Sequence, residues 1–528
     1  MSLALHQVLK LVFVSLLVVL VGCSSEMSTL SNSSGSGSGD PDPSDPDPGT
    51  PTSCTVNGIT ITHGQSRVLY SASSVACGQT CQSQTRVCNN GVLTGDNTYT
   101  HASCSVNSCS SPTYRVGPSR TYTSLNQLFN AVNLEPGDIV EVDGNQTYSG
   151  GVIVPSADGG SDSNPVIIRG VKVNGNRPIL SGGTNTIEFR QSNHVVLEGF
   201  EVTAGTSRCV FMAAHNVTIR DSIIRDCPGH GILTSDNYSG SFTLEYSEVR
   251  NAGAGSHYHA LYIQSDEIAF PGAVFTMRFN YIHSGTGGNL LKSRHERSLI
   301  YYNWFEGSYY HALELIGPDA YTQQNGWNID TRREDSDVVG NVIVHTSTSF
   351  AAAIRVGGDL NENSSKGRTR FVNNTVYFNT SSSGLVFRIF EQLQSLEAHN
   401  NVISAAGNGS NVQVTRTVEA QWTNGTQLHG SNNSIKSGAG NVPATWVSTQ
   451  THTNAGFTGA NNYTPASGSV LVNAGNSNPV SGGNTFPFSN PLLIPVYHPP
   501  IRAKMDPGAE VPRNIIGSGI DIGALERP

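Results

Sequence analysis

Short alternating strands recur along the middle of the chain. Segments such as VVLEGFEV, FTLEYSEV and FTMRFNYI alternate apolar and polar residues with a period of two, the pattern of a strand that buries one face. Aligned copies of this segment start at 195, 217, 242, 275, 298, 336, 369 and 395. A short unit that recurs with variable insertions predicts a solenoid, in which neighbouring coils bury a shared core. We predict an all-β parallel β-helix over 113–407, with a C-terminal extension or cap over 408–528.

An asparagine recurs at one place of the repeated segment. The sixth residue of five segments is asparagine: Asn280, Asn303, Asn341, Asn374 and Asn400. Asparagine is common in turns for its own reasons. Its recurrence in register, within strand-like contexts, favours a ladder of inward side chains that bond the turns of successive coils.

A second strand follows each copy of the first. Its members include HALYIQSD, NLLKSR, HALELIGPD, AAAIRVGGD and GLVFRIFE. Alternation places their outward residues in one column: Tyr262, Lys292, Glu314, Arg355 and Arg388. Lys292 and Glu314 are 22 residues apart, about one coil. We therefore expect their side chains to be neighbours on adjacent strands, which pair at about 4.8 Å.

The ends of these second strands carry further ionisable residues. Histidines stand at the starts, as His230, His259 and His311, and acidic residues at the ends, as Asp236, Asp266, Asp319, Asp359 and Glu391. The predicted catalytic residues are Lys292, Arg294, His311 and Glu314. The predicted substrate-binding residues are Tyr262, His259, Arg355, Arg388 and, from an inserted loop, Trp327. The simpler alternative is that Lys292 and Glu314 form a surface ion pair worth under about 1 kcal/mol.

Both ends of the repeat region resemble a known fold family. The stretch from Thr123 to Val132 reads as an amphipathic helix, and a Pro-Gly-Asp turn, an alternating strand and a G-x-x-x-Y motif follow it. This order resembles the capped first turn of pectate-lyase-like right-handed β-helices, in which a helix covers the open end of the core. The closing DIGALE segment resembles the end of many bacterial β-helix surface proteins.

The resemblance implies an activity as well as a fold. Many β-helices of this kind are polysaccharide lyases, which cleave uronic-acid polymers by β-elimination once calcium or arginine has neutralised the sugar carboxylate. The Lys-Ser of NLLKSR resembles that of the alginate and chondroitin lyases, which implies that Lys292 is the base. The Arg-His pair expected one coil later is missing from ALELIG, so His311, Arg294 or Arg297 would have to donate the proton. Calcium is the predicted cofactor, with Asp266, Glu314 and Asp319 as its ligands.

Two other functions remain open at this point. A glycoside hydrolase would need paired carboxylates, for which Glu314 with Asp319 or Asp266 are the candidates. A non-catalytic polysaccharide-binding or adhesion protein would need no chemistry at this site. The fold alone does not choose among them.

Composition argues against nucleic acid as the partner, and the charged and aromatic outer face of the predicted sheet suits an anionic polysaccharide. The 528-residue chain has a net charge of −9 and only 13% charged residues, whereas nucleic-acid binding needs a basic surface.

Residues 1–22 form a signal sequence, because Lys10 precedes an apolar run too short to cross a membrane. The run ends at Val21-Gly22-Cys23, which resembles a bacterial lipobox. We predict lipidation of Cys23, a disordered tether over 23–53, and anchoring in the cell envelope, at the outer membrane or cell surface.

A cysteine-rich module precedes the repeats, over 54–110. Its six cysteines are Cys54, Cys77, Cys81, Cys88, Cys104 and Cys109. An even number in an exported segment predicts three disulfides, although the Cys77–Cys81 spacing is also close to that of zinc ligands. Cys209 and Cys227 lie in the repeats, where a disulfide and two buried thiols are about equally expected.

Overall fold

The computed structural model describes residues 52–75, 81–106, 112–318, 334–347, 350–359, 365, 367–379, 383–390, 392–418, 427–459, 461–480, 488 and 491–527. The predicted signal sequence, Cys23 and nearly all of the tether lie outside these residues. Within them, no helix is long and apolar enough to cross a membrane.

Short strands and disulfides build the N-terminal module. Its strands are β1 (Cys54–Val56), β2 (Ile59–Ile61), β3 (Ser66–Tyr70), β4 (Ser74–Val75), β5 (Ser83–Asn89), β6 (Val92–Leu93) and β7 (Ser105–Val106). Disulfides join Cys54 to Cys88 and Cys81 to Cys104. These four sulfurs are therefore not zinc ligands, and the predicted disulfide chemistry is confirmed for them. Cys77 and Cys109 lie outside the described residues.

The solenoid begins with β8 (Tyr114–Val116) and the helix α1 (Leu125–Ala131). Its next strands are β9 (Ile139–Asp143), β10 (Thr147–Ser149), β11 (Val152–Val154), β12 (Val166–Val171), β13 (Ile179–Ser181), β14 (Asn185–Arg190), β15 (Val195–Glu198), β16 (Glu201–Thr203), β17 (Arg208–Ala213), β18 (Val217–Arg220), β19 (Ile223–Cys227), β20 (His230–Thr234), β21 (Phe242–Glu245), β22 (Glu248–Ala252), β23 (Leu261–Gln264) and β24 (Val274–Arg278). Its later strands are β25 (Tyr281–His283), β26 (Leu291–Arg294), β27 (Arg297–Tyr301), β28 (Trp304–Glu306), β29 (Leu313–Ile316), β30 (Asp335–Val339), β31 (Val342–His345), β32 (Ala352–Gly357), β33 (Arg368–Val372), β34 (Thr375–Phe378), β35 (Gly384–Ile389), β36 (Ser395–His399), β37 (Val402–Ala405), β38 (Val412–Thr417), β39 (Gln427–Ser431), β40 (Ser434–Lys436), β41 (Trp446–Val447) and β42 (Gln450–His452). Short 3₁₀ turns occupy Ser156–Asp158 and Gly409–Asn411.

Every third strand joins the same sheet, as a coil with three strands per turn requires. In the described residues, one sheet runs from β8 through β9, β12 and β15 to β41, and a second from β10 through β13 and β16 to β42. The third runs from β11 through β14, β17, β20, β23, β26, β29, β32 and β35 to β38. We call this third one the site sheet. All its pairs are parallel, which confirms the predicted all-β parallel β-helix.

Inward residues of all three sheets fill one continuous apolar core. Within this core the rings of Phe242 and Phe275, which pair on adjacent strands, stack 5.6 Å apart. Helix α1 covers the N-terminal end with Leu125, Leu128 and Phe129, and the side chain of Ser124 caps it by accepting the backbone N–H of Gln127. The predicted capping helix is therefore present. A disulfide joins Cys209 to Cys227 inside the coil.

The asparagine ladder forms, with one residue different from the prediction. Backbone N–H groups donate along it from Asn280 to Asn303, from Asn303 to Asn341, and from Asn341 to Asn374, at 2.8–3.0 Å. The next member is Asn401, whose Oδ1 accepts from the backbone of Asn374 at 2.9 Å. The prediction of Asn400 was wrong by one residue, because Leu396 rather than Ser395 pairs with Thr369. Asn400 instead adopts a left-handed backbone with φ of 57° and bonds the C-terminal segment.

The C-terminal segment packs along the second sheet. Strands of all three sheets continue beyond 407, the last of them to His452. Beyond them, Tyr463, Ala524 and Leu525 pack against Trp304, so the DIGALE stretch closes over the outside of the coil.

Candidate active site

The predicted outer column is present in the site sheet. Tyr262 pairs with Lys292, Lys292 with Glu314, Glu314 with Arg355, and Arg355 with Arg388. Their neighbours on each strand, such as Leu291 and Leu313, point into the core and are fully buried. The alternation of each strand therefore presents one polar side chain per coil to the outside.

Glu314 lies at the centre of the column and is bound on three sides. Its Oε1 accepts from Arg355 at 2.6 Å, and its Oε2 accepts from the side chain of Asn289 and lies 3.8 Å from the Nζ of Lys292. The Glu314 side chain is only 5% exposed. It therefore has the surroundings of an ionised carboxylate that is already compensated by cations.

A second set of contacts closes a ring around this pair. Arg355 also donates to Asp359 at 2.6 Å, and Asp359 pairs with Arg294. Arg294 donates to the Tyr262 hydroxyl at 3.0 Å, and the Nζ of Lys292 lies 5.0 Å from the centre of the Tyr262 ring. Each charged side chain of the ring thus contacts two other members of the ring. For Lys292 these are Glu314 and the Tyr262 ring, and together they position its amine.

The strand starts form a second ladder beside the column. The backbone N–H of His259 donates to the Nδ1 of His230 at 3.0 Å, and that of Asn289 donates to the Nδ1 of His259 at 2.9 Å. The backbone N–H of His311 in turn donates to the Oδ1 of Asn289 at 3.1 Å. Sequence reasoning found the histidines of this ladder but missed Asn289, which replaces histidine at the start of NLLKSR.

This ladder sets the tautomers of the two histidines in the cleft. His259 accepts at Nδ1, so its neutral ring carries the proton on Nε2. The amide nitrogen of Asn289 donates to Glu314, so the Oδ1 of Asn289 faces the Nδ1 of His311 at 3.2 Å and accepts its proton. The Nε2 of His311 is then a bare acceptor, and it is buried without a hydrogen-bond partner among the described atoms.

Burial and neighbouring charges shift the pKa of Lys292, Glu314 and the two histidines of the cleft. Burial lowers the pKa of the Lys292 ammonium, although Glu314 opposes the shift. Burial disfavours the charge of Glu314, but Lys292 and Arg355 outweigh it and hold the pKa of this carboxyl well below its usual value. Burial lowers the pKa of both His259 and His311 to about 3. At neutral pH, Glu314 is therefore ionised, both imidazoles are neutral, and Lys292 loses its proton more readily than an exposed lysine does.

These groups line a cleft of about 570 Å³. Of the predicted residues, the structure brings together in it Lys292, His311, Glu314, Tyr262, His259, Arg355 and Arg388. Sequence reasoning did not find Tyr310 or Phe350, which complete the rim and whose rings lie 5.1 Å apart. Both come from connections between strands, which carry no repeat pattern.

Two arginines that were predicted as the catalytic residue or proton donor do not line the cleft. Arg294 is 4% exposed and donates to the carbonyl of Gly317 and to Asp359, so its guanidinium supports the ring from beneath. Arg297 belongs to a strand of another sheet and pairs with Asp337. Trp327 lies outside the described residues.

The described part of the predicted calcium site does not fit calcium. Glu314 is compensated by Lys292 and Arg355, and Asp266 accepts backbone N–H groups of Tyr238, Ile268 and Ala269. Asp319, the third predicted ligand, lies outside the described residues. In the part of the chain that the structure describes, no group of three or more histidine, cysteine or acidic side chains could hold a metal ion.

Comparison with known proteins agrees with the fold. The family model described as "Periplasmic copper-binding protein (NosD)" matches residues 107–345, which is less than half of the chain. No curated protein matches the chain significantly. The three parallel sheets show that the chain is a parallel β-helix.

Solved structures with this likeness carry several activities. The pectate lyase Pel9A is 15% identical, with a TM-score of 0.46 over 79% of this chain and 97% of that one. An alginate lyase from Paenibacillus sp. str. FPU-7 is 16% identical, with a TM-score of 0.38 over 64% of this chain and 98% of that one. A GH136 lacto-N-biosidase from Eubacterium ramulus is 12% identical, with a TM-score of 0.38 over 64% of this chain and 67% of that one. A fold alone does not decide function, so activity has to be argued from the residues of the site.

Proposed function

We propose that the protein is a polysaccharide lyase that cleaves a uronic-acid-containing polymer by β-elimination, with Lys292 as the base. The observation that carries the proposal is a half-buried lysine beside Glu314, in a cleft that also holds Arg388 and two neutral imidazoles. Burial lowers the pKa of Lys292, which raises the fraction of neutral amine able to take a proton.

In the proposed reaction, the neutral amine of Lys292 removes the proton on C5 of the uronate. The electron pair of the C5–H bond forms the C4–C5 double bond as the C4–O bond breaks. Arg388 pairs with the uronate carboxylate and stabilises the charge that develops on it. Glu314 stabilises the new ammonium of Lys292, which returns the proton to the leaving oxygen. Atoms and charges then balance without another reactant.

The imidazoles have binding roles in this proposal. The Nε2 of His311 is a buried acceptor aimed into the cleft and suits a sugar hydroxyl. The Nε2–H of His259 suits a sugar oxygen as a donor. Neither ring is a good proton donor to the leaving group, because each is neutral with a pKa of about 3.

The hydrolase alternative has less support. A hydrolase needs two carboxylates, of which one is a proton donor. Glu314 is the one carboxylate among the described residues that line the cleft, and its surroundings keep it ionised. Copper binding, which the matched family description names, has no cluster of donors in the described residues to support it.

A non-catalytic glycan-binding protein is the second candidate. The ion pair of Lys292 with Glu314 favours it, because a lysine that is held in an ion pair can shape the cleft without taking part in a reaction.

We propose in either case that Cys23 is lipidated and holds the protein at the bacterial envelope, at the outer membrane or cell surface, with the tether as a spacer. Labelling with radioactive palmitate, lost in Cys23→Ala, tests the anchor.

Incubation with uronate polymers separates these functions. A lyase gives the far-ultraviolet absorbance of an unsaturated uronate, and a hydrolase gives reducing ends without it. A binding protein gives neither. Parallel reactions with and without a chelator test whether calcium, the predicted cofactor, takes part.

A further inference from the structure

The charge of the outer column is asymmetric along the solenoid. Beyond the cleft, toward the C-terminus, Arg388 pairs with Arg416 on the next strand. With Arg355, three consecutive coils therefore present arginine at the same position. The first and last of these lie about 10 Å apart along the axis, at about 4.8 Å per coil.

The same column carries no cation on the N-terminal side of Lys292 within the described coils. There, Tyr262 follows Leu233 and Phe211. The aromatic side chain of Tyr258 is 45% exposed and packs on His230, with the ring centres 5.0 Å apart. The next residue of the column is Glu188, which pairs with Arg190, and Arg208 beside the column lies over the Phe211 ring. This side therefore offers aromatic surface and isolated charges rather than a row of arginines.

We propose that Arg388 and Arg416 bind the carboxylates of successive acidic sugars of one polymer, which runs along the solenoid axis from the cleft toward the C-terminus. The coil spacing is similar to the length of one sugar in an extended chain, so one arginine per coil suits one carboxylate per sugar. Sugars on the N-terminal side lie on Tyr258 and Tyr262 and make few charged contacts. The inference rests on the proposed function for the identity of the polymer, but its test measures binding instead of cleavage.

Charge complementarity is the basis for choosing this occupant. The chain as a whole has a net charge of −9, so a row of arginines is a local exception to its surface. Arg355 is already compensated by Glu314 and Asp359, whereas Arg416 lies exposed on its strand. Among the residues that the structure describes, Arg416 is therefore the arginine of the column best placed to bind an external anion.

The test is affinity electrophoresis of the full chain through gels that contain polygalacturonate or alginate. All variants carry Lys292→Ala, so that no polymer is cleaved. Arg416→Glu is expected to weaken binding by roughly threefold or more, since it removes one exposed ionic contact and adds a repulsion. Arg416→Gln is expected to have about half the effect on the logarithm of the affinity.

Two matched variants control for charge. Arg190→Glu makes the same change on an exposed residue of the site sheet at its N-terminal end, and Arg115→Glu makes it on another sheet. Both are expected to leave the affinity unchanged. An unchanged affinity in Arg416→Glu, or an equal loss in Arg190→Glu, overturns the inference. If Arg416→Glu alone weakens binding while the unmutated chain cleaves no polymer, the inference stands and the lyase proposal fails.

Discussion

Replacement of Glu314 by glutamine tests the electrostatics of the ring. Glutamine keeps the shape of the side chain and removes its charge, so Lys292 and Arg355 lose their shared counterion. Breaking a buried ion pair costs about 3–5 kcal/mol. Because Arg355 keeps Asp359 at 2.6 Å and Lys292 keeps the Tyr262 ring, we expect the lower end of that range, about 3 kcal/mol of unfolding free energy.

Urea unfolding at pH 7, followed by circular dichroism, measures this loss. The control is Glu141→Gln, because Glu141 lies near Arg115 and Arg169 at 3.5 and 3.7 Å but is 21% exposed, so a loss under about 1 kcal/mol is expected. The pKa of Glu314 is lowered in the folded state, so its contribution is complete above about pH 4.3 and fades as the pH falls below that. The difference between Glu314→Gln and the unmutated chain should shrink accordingly. A loss of unfolding free energy in Glu314→Gln no larger than that in Glu141→Gln would show that the charge of Glu314 does not stabilise the fold.

Four further predictions follow from the same contacts. Asn303→Ala removes a buried amide that bonds two asparagine neighbours, so unfolding free energy should fall by about 3 kcal/mol, against little change for the exposed Asn164→Ala. Burial lowers the pKa of His230 and His295 to about 4 and that of His259 and His311 to about 3. Below about pH 6.5 the unfolded state therefore binds more protons than the folded state, so the unfolding free energy should decrease as the pH is lowered. His311→Gln removes one of these groups and should make that decrease less steep. Nitrogen-15 spectra should show His311 neutral at pH 6, with the proton on Nδ1, and a protonated ring there would contradict the assignment. Cys209→Ser should cost about 3 kcal/mol of unfolding free energy through loss of the disulfide to Cys227.

The repeat pattern predicted the fold and the column because both depend on a period of two along each strand. Every coil repeats the alternation, so the register of Tyr262, Lys292, Glu314, Arg355 and Arg388 could be deduced without coordinates. The single error in the asparagine ladder came from paired asparagines. Asn373-Asn374 and Asn400-Asn401 each place one side chain in the ladder and give the other a left-handed backbone, and the sequence does not distinguish the two roles.

The chemistry of the cleft could not be deduced in the same way. Arg294 belongs to the predicted cluster by position, but its partner Asp359 is 65 residues away and lies on a different strand end. The tautomer of His311 depends on Asn289, which breaks the histidine pattern and was therefore overlooked. Side-chain direction at a strand end depends on such long-range contacts rather than on the repeat.

Cleavage by the Lys292→Ala variant is the most direct test of the central proposal. Purified chain and variant are mixed in parallel with alginate, polygalacturonate and glycosaminoglycans, and the far-ultraviolet absorbance of unsaturated uronate is followed. Binding in the affinity gel and the urea midpoint confirm that the variant is folded. We expect product from at least one polymer with the unmutated chain, and a rate that is lower by roughly 100-fold or more without the base. Equal rates for the two proteins, or no product from any uronate polymer, would contradict it.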